Sequence, residues 1–189
     1  MPDDGTGEAL TLRERIAFEL EVPLAPETAL AFVRDVEASL GHAGFLEGLS
    51  VEAGAPARVR AALPVSTPLF GERRLPFASE LHETPAGARL APLPLDAPAR
   101  GRAEVGGEAA VAAAADGSRL AYALEVAVHL DLPAADRWGT RALTRMLELT
   151  AASVLRGLLA RFPEAVERAA RARAAAGAST ADAPGLPRR

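Results

Sequence analysis

From Arg119 to Leu132 the chain alternates without a break. Leu120, Tyr122, Leu124, Val126, Val128, Leu130 and Leu132 share one parity, and Ala121, Ala123, Glu125, Ala127, His129 and Asp131 share the other. A period of two sustained over that length is a β-strand with one buried face. Such a strand cannot bury a face by itself, so it demands partner strands and a covering layer. It is also well beyond the usual strand of roughly five or six residues, so it is expected to bend around what it covers. After Pro133 the period changes to 3.6, with Leu143, Met146, Leu147, Thr150, Val154, Leu158 and Phe162 forming an apolar stripe and Arg141, Arg145, Glu148 and Arg156 flanking or opposing it. That is the pattern of a helix lying on a sheet. Pro163 must kink this helix or restart it, because proline removes a backbone donor and clashes with the preceding turn.

The rest of the chain supplies the partner strands. Residues 49 to 132 are rich in Pro and Gly, and the alternation between those breakers predicts strands at Ala57–Leu63, Arg73–Glu83, Ala88–Leu93, Arg102–Ala114 and Arg119–Leu132. Asp116-Gly117 is a hairpin signal between the last two. Upstream, Ile16, Phe18, Leu20 and Val22 alternate with Ala17, Glu19 and Glu21 in a strand from Arg15 that Pro23 ends. Pro26 suits the first turn of a helix carrying Ala29, Phe32, Val33, Val36 and Leu40 on one face, with Gly41 as its stop. The expected architecture is α+β: a curved antiparallel sheet of six or seven strands wrapped on a long C-terminal helix, with a short helix after strand 1. Residues 1–12 read as a polar arm, 13–172 as the domain and 173–189 as a disordered Ala/Pro/Arg tail; the Ala/Arg helix from Glu164 is expected to run past the core.

Composition narrows the chemistry. A chain of 189 residues, 49% of them hydrophobic, supports one sizeable core. A formal net charge of -4 gives no pull towards nucleic acid or an anionic membrane. There is no cysteine, so disulfides, thiolate nucleophiles and cysteine-held metals are excluded. All 21 basic residues are Arg, and Lys, Asn and Gln are absent, as GC-rich coding would produce. No Schiff-base lysine, P-loop lysine or side-chain amide for reading adenine edges is therefore available. The acidic N-terminus has no signal-peptide pattern, and no stretch reaches the roughly 18 apolar residues of a membrane span. The cytoplasm is the expected compartment. His42, His82 and His129 stand in no metal-binding spacing, and no cofactor motif is found.

The segment Val22, Pro23, Ala25, Pro26, Glu27, Ala29, Phe32, Val33, Asp35, Val36 follows a "VPA-PE-A-FV-DVE" pattern, and Phe45-Leu46-Glu47-Gly48-Leu49 stands where an "LPGV" is often found. With the element order, this resembles the START-like (SRPBCC, helix-grip) superfamily over residues 14 to about 172. That superfamily includes the birch-pollen allergen type, polyketide cyclases, lipid-transfer domains and a carbon monoxide dehydrogenase accessory type, to which last the chain is distantly similar. The nearest resemblance is to an uncharacterised bacterial family. The resemblance implies a cavity between sheet and long helix for a lipid, quinone, steroid or polyketide.

Phe18, Phe77, Tyr122, Leu124, Met146, Thr150 and Val154 are the cavity candidates. Ala61, Ala103, Gly107 and Ala109 are small inward residues that leave room, unless the helix sits closer and fills it. Two other readings stand beside ligand binding. One is a cyclase- or hydratase-type enzyme using Tyr122, Ser79, Glu148 or Thr150 inside the cavity. The other is a protein-interaction module with a vestigial cavity, meeting its partner through the arginines after Pro163: Arg168, Arg171, Arg173, Arg188 and Arg189. Arg73-Arg74, Arg100 and Arg102 read as a solvated face, and Trp138 as packing or a gate at the cavity mouth. No carboxylate–histidine or serine–histidine constellation is legible on one face.

Overall fold

A computed structural model describes residues 9–41, 43–67, 71–95, 101–131 and 140–181. The strands are β1 (Ala9–Val22), β2 (Glu47–Glu52), β3 (Ala57–Thr67), β4 (Gly71–Thr84), β5 (Gly87–Leu93), β6 (Gly101–Ala114) and β7 (Gly117–Asp131). They form one seven-stranded sheet in the order β1-β7-β6-β5-β4-β3-β2. Every neighbouring pair is antiparallel. The helices are α1 (Pro26–Arg34), α2 (Val36–Leu40), α3 (Thr140–Leu159) and α4 (Phe162–Ala181). The α+β class, the antiparallel sheet, the short helix after strand 1 and the long C-terminal helix bent at Pro163 are as the sequence predicts.

The two faces of the sheet differ as the alternation requires. Cross-strand ion pairs mark the outer one: Arg15 to Glu125 at 2.9 Å, Arg119 to Glu21 at 3.2 Å and Arg60 to Glu52 at 2.9 Å. Exposed pairs of this kind contribute roughly 0–1 kcal/mol each, so the sheet is held mainly from its other side. There Val59, Leu75, Phe77, Leu120, Leu124, Val126 and Val128 are buried. Helix α3 covers this side through Ala151, Leu155 and Leu159, touching β1 and β3. Helix α4 packs on β1 and α2, and its Val166 and Ala170 are wholly buried.

Polar ties fix the helices over the sheet. Arg34 at the end of α1 donates to the carbonyls of Thr84 (2.6 Å) and Gly87 (3.2 Å), clasping the β4–β5 hairpin. The buried Ser118 hydroxyl donates to the Leu24 carbonyl at 2.8 Å, tying the start of β7 to the β1–α1 connection. Both ties join segments far apart in the chain, so they set the tilt of the first helices against the sheet.

Four features differ from the sequence reading. Strand β1 starts at Ala9, so the last part of the expected arm is strand, because Leu10 and Leu12 pack with Leu130. Strand β2 has no counterpart among the expected strands, since its six residues carry only two apolar side chains, Leu49 and Val51. The single helix expected from Pro26 to Leu40 is two, broken at Asp35, whose carboxylate accepts from the Ala38 N–H at 2.9 Å and caps α2. Helix α4 continues to Ala181, into the stretch expected to be a disordered tail. Residues 1–8 and 182–189 of the expected arm and tail lie outside the described residues.

Gly107 marks where β6 leaves β5. Leu90↔Gly107 is the last β5–β6 pair towards the start of β6, and beyond it the Ser79 hydroxyl of β4 donates directly to the Val105 carbonyl at 2.6 Å. A Cβ at Gly107 would lie 2.7 Å from Leu124 Cδ2 and collide with the Ala123 carbonyl. Gly107→Ala is therefore expected to cost roughly 1–3 kcal/mol by overpacking. Urea denaturation measures it, and an unchanged midpoint would contradict this close approach.

Candidate functional site

Where α3 passes into α4, the sheet and the helices leave two adjoining pockets. The larger, about 50 Å³, lies between α2, the concave sheet and the end of α3, with Phe77, Val105, Leu124, Val126, Leu155 and Phe162 in its wall. All its lining side chains are aliphatic or aromatic. The smaller, about 40 Å³, is walled by Val33, Ser39, Leu81, Gly107, Ala109 and Tyr122 among others. Val36, Leu40, Leu90, Leu124 and Phe162 line both. The small inward residues Gly107 and Ala109 thus border open space, whereas Ala61 and Ala103 are buried among neighbours in the second core cluster.

An aromatic group stands at the junction. Phe18 of β1 stacks on Tyr122 of β7, with centroids 5.1 Å apart and planes at 14°, as their direct cross-strand pairing allows. Phe162 meets Phe18 at 5.7 Å, Phe45 at 5.6 Å and Tyr122 edge-on at 5.9 Å. The Tyr122 hydroxyl is buried and has no hydrogen-bond partner among the described residues. Burial also pushes its phenol pKa above the ordinary range, so the proton stays on at any physiological pH.

Of the cavity candidates, Phe77 and Leu124 line the larger pocket, Tyr122 and Leu124 the smaller, and Phe18 backs Tyr122. Val154 is half-buried against the second core cluster. Met146 is 59% exposed and lines neither pocket. Thr150 is half-buried and donates to the Met146 carbonyl of its own helix at 2.9 Å. The buried row of α3 is Ala151, Leu155 and Leu159, one residue round from the stripe that runs through Met146, Thr150 and Val154. Leu143, Leu147, Ala151, Leu155 and Leu159 recur every fourth residue, so the signal for this row is present in the sequence; the side chains of Leu143 and Leu147 lie outside the described residues. Phe45 and Phe162 are wall residues absent from the cavity candidates; helical spacing puts Phe162 in the apolar stripe but does not show that it reaches the pocket, and Phe45 lies outside any predicted strand or helix.

The polar candidates do not converge. Glu148 is exposed on α3, away from the buried Tyr122, and the Ser79 hydroxyl is bonded to Val105. Arg168, Arg171 and Arg173 are exposed, but the helix that carries them is anchored in the core by Val166 and Ala170. That corrects the view of α4 as a segment the core does not need. His42, Arg100, Trp138, Arg188 and Arg189 lie outside the described residues.

The sheet does assemble one constellation that is invisible in the sequence. On the outer face His129 Nδ1 lies within hydrogen-bond reach of Thr11 Oγ1 at 3.1 Å, tying β7 to β1, while its buried Nε2 lies 3.1 Å from Glu104 Oε1 of β6 without the alignment of a hydrogen bond. The order hydroxyl, imidazole, carboxylate resembles a nucleophile relay, but catalysis would need free N–H donors beside it. The neighbouring backbone is engaged in the sheet ladder. His82 Nε2 pairs with Glu80 at 3.3 Å on the surface. Among the described residues no three His, Cys, Asp or Glu side chains group to hold a metal, and no helix is long and apolar enough to cross a membrane.

An antiparallel sheet closed on one side by a long bent C-terminal helix, with the short helices inserted after the first strand, defines a helix-grip protein. Solved structures agree. TTHA0849 from Thermus thermophilus is 17% identical, with 87% of this chain and 99% of that one covered and a TM-score of 0.51. The Zhui aromatase/cyclase from Streptomyces sp. R1128 is 14% identical, with 93% and 99% covered and a TM-score of 0.50. The di-domain ARO/CYC BexL from the BE-7585A biosynthetic pathway is 12% identical with a TM-score of 0.54; 93% of this chain but only 52% of BexL is covered. At such identities the likeness shows the fold alone. No curated protein matches the sequence. Residues 17–160 match the family described as "Protein of unknown function (DUF3809)", and the chain belongs to that family.

Proposed function

We propose that this protein binds an apolar small molecule, of lipid, quinone or polyketide-like character, between the sheet and the C-terminal helices. The observation that carries the reading is the larger pocket, whose wall offers only apolar side chains at the junction of α2, α3 and the sheet. Likeness to two aromatase/cyclases of the same fold supports it. Phe77, Tyr122 and Leu124 form the proposed wall, with Phe18 behind Tyr122; Met146, Thr150 and Val154, which line neither pocket, are left out. Neither pocket reaches the roughly 150 Å³ of a cavity that takes benzene. A ligand must therefore displace side chains, and Phe162, one of the five residues common to both pockets and the largest of them, is the side chain whose movement would open most space between them.

Native mass spectrometry after gentle purification, with displacement of a fluorescent apolar probe by lipids and quinones, tests the reading. Probe uptake is expected in the wild type. Val105→Phe, which fills the larger pocket from β6, is expected to weaken it by about tenfold or more, since overpacking of a fixed wall costs roughly 1–3 kcal/mol. No uptake by the wild type, or equal uptake by the variant, would remove this site.

A further inference from the structure

The two pockets are apolar except at one place. The polar side chains in the wall of the smaller one are Ser39, Glu108 and Tyr122. The Ser39 hydroxyl donates to the Val36 carbonyl at 3.3 Å within its own short helix. Glu108 is exposed and lies 3.6 Å from Arg89 on the surface of the sheet. That leaves the phenol of Tyr122. It is 9% exposed, its oxygen is buried, and no described protein group meets it. A buried hydroxyl without a partner loses its hydration for nothing in return. Its ring is held between Phe18 at 5.1 Å and Phe162 at 5.9 Å, so the oxygen cannot swing out to find water.

We propose that the Tyr122 hydroxyl is the polar anchor of the apolar site, and that the site selects a neutral ligand carrying a carbonyl oxygen over the corresponding hydrocarbon. This rests on the ligand-binding reading above and sharpens it. The charge of the ligand follows from the wall. Among the described lining residues of both pockets Glu108 alone is ionisable apart from Tyr122 itself, and it is acidic. An ionised carboxylate or phosphate would be buried there without a counter-charge, which is prohibitive. A neutral acceptor asks for one neutral donor, and the phenol keeps its proton because burial raises its pKa. The stack on Phe18, paired with Tyr122 across β1 and β7, gives that donor a fixed place before the ligand arrives, so little ordering of the phenol is needed on binding.

The test pairs 9-fluorenone with fluorene, two molecules of nearly equal shape that differ in one carbonyl, on the full chain and on Tyr122→Phe. Fluorenone is expected to bind the wild type about tenfold more tightly than fluorene, the span of one neutral hydrogen bond. That preference should vanish in Tyr122→Phe, and the carbonyl stretch of bound fluorenone should be red-shifted in the wild type only. Tyr122→Phe without ligand should melt roughly 2–4 °C higher, because an unpartnered buried hydroxyl has been removed. Equal binding of the two probes to the wild type would overturn the anchor while leaving the apolar site intact. A Tyr122→Phe variant that melts lower than the wild type, or that keeps the preference, would also overturn it, since the hydroxyl would then have a structural partner. Failure of both probes to bind would sink the anchor and the ligand-binding reading together.

Discussion

Val166→Asp is expected to unfold this protein or bring it to the edge of unfolding. Val166 is completely buried in α4, in the same cluster as Phe32, Leu120 and Phe162. The other buried members of that cluster are aliphatic and aromatic, with the Tyr122 hydroxyl as the one polar group, so the new carboxylate would find no counter-charge among them. The loss is about 4 kcal/mol or more, a large part of the roughly 5–15 kcal/mol that holds a domain together. Ending the chain after Arg161 should have an effect of the same order, because it removes Phe162, Val166 and Ala170 from that cluster. Arg171→Ala on the outer side of the same helix, where the exposed Arg171 pairs with Glu167 one turn away, should stay within about 0.5 kcal/mol of the wild type. Equilibrium denaturation of the three variants decides the matter. If Val166→Asp or the truncated chain keeps the wild-type midpoint, α4 is not part of the core and the packing described for it is wrong.

That prediction reverses what the sequence suggests for the same segment, and the reason is physical. Between Glu164 and Ala176 the apolar residues other than Val166 are alanines. Alanine carries almost no hydrophobic signal, yet it permits the closest helix packing. Ala165, Ala169, Ala170 and Ala174 let α4 lie tightly on α2 and β1, so an alanine face that reads as neutral is a buried one. The buried row of α3 is displaced for a different reason. Met146, Thr150, Val154, Leu158 and Phe162 recur every fourth residue just as Leu143, Leu147, Ala151, Leu155 and Leu159 do, and spacing alone cannot choose between two adjacent apolar rows.

The strands are more legible. Alternation of bulky and charged residues leaves little freedom of register, and β4 to β7 start and end within a few residues of where the sequence puts them. Phe77, Tyr122 and Leu124 are legible as inward residues because parity alone settles the face of a strand. Contacts across elements are not legible: parity cannot say that Phe162 would reach both Phe18 and Tyr122. Nor can it say that Thr11, His129 and Glu104 would fall in line on three strands. Those depend on strand order and on the angle at Pro163, which sequence spacing does not encode.

Phe162→Ala should be the most informative single change, because it moves stability and binding in opposite directions. Phe162 opens α4 just before the proline that bends the C-terminal helix, and it makes ring contacts with Phe18, Phe45 and Tyr122. Removing a buried phenylalanine ring costs about 3–5 kcal/mol, the spread depending on how far the site collapses. The two pockets share Phe162 as wall, so its loss should merge them into one larger space. An apolar ligand then recovers part of the lost stability, by about 2.7 kcal/mol when present at roughly 100 times its dissociation constant. Fluorene should therefore bind the variant more tightly than the wild type and raise its melting temperature by a larger increment. Phe162→Leu, which keeps most of the volume, should lose less and gain less. If Phe162→Ala is destabilised as expected but binds fluorene no better, the helices have closed over the gap. The pockets would then be packing imperfections rather than the halves of one binding site. If it is hardly destabilised at all, the aromatic junction does not hold the bend, and the position of α4 must be set by Val166 and Ala170 alone.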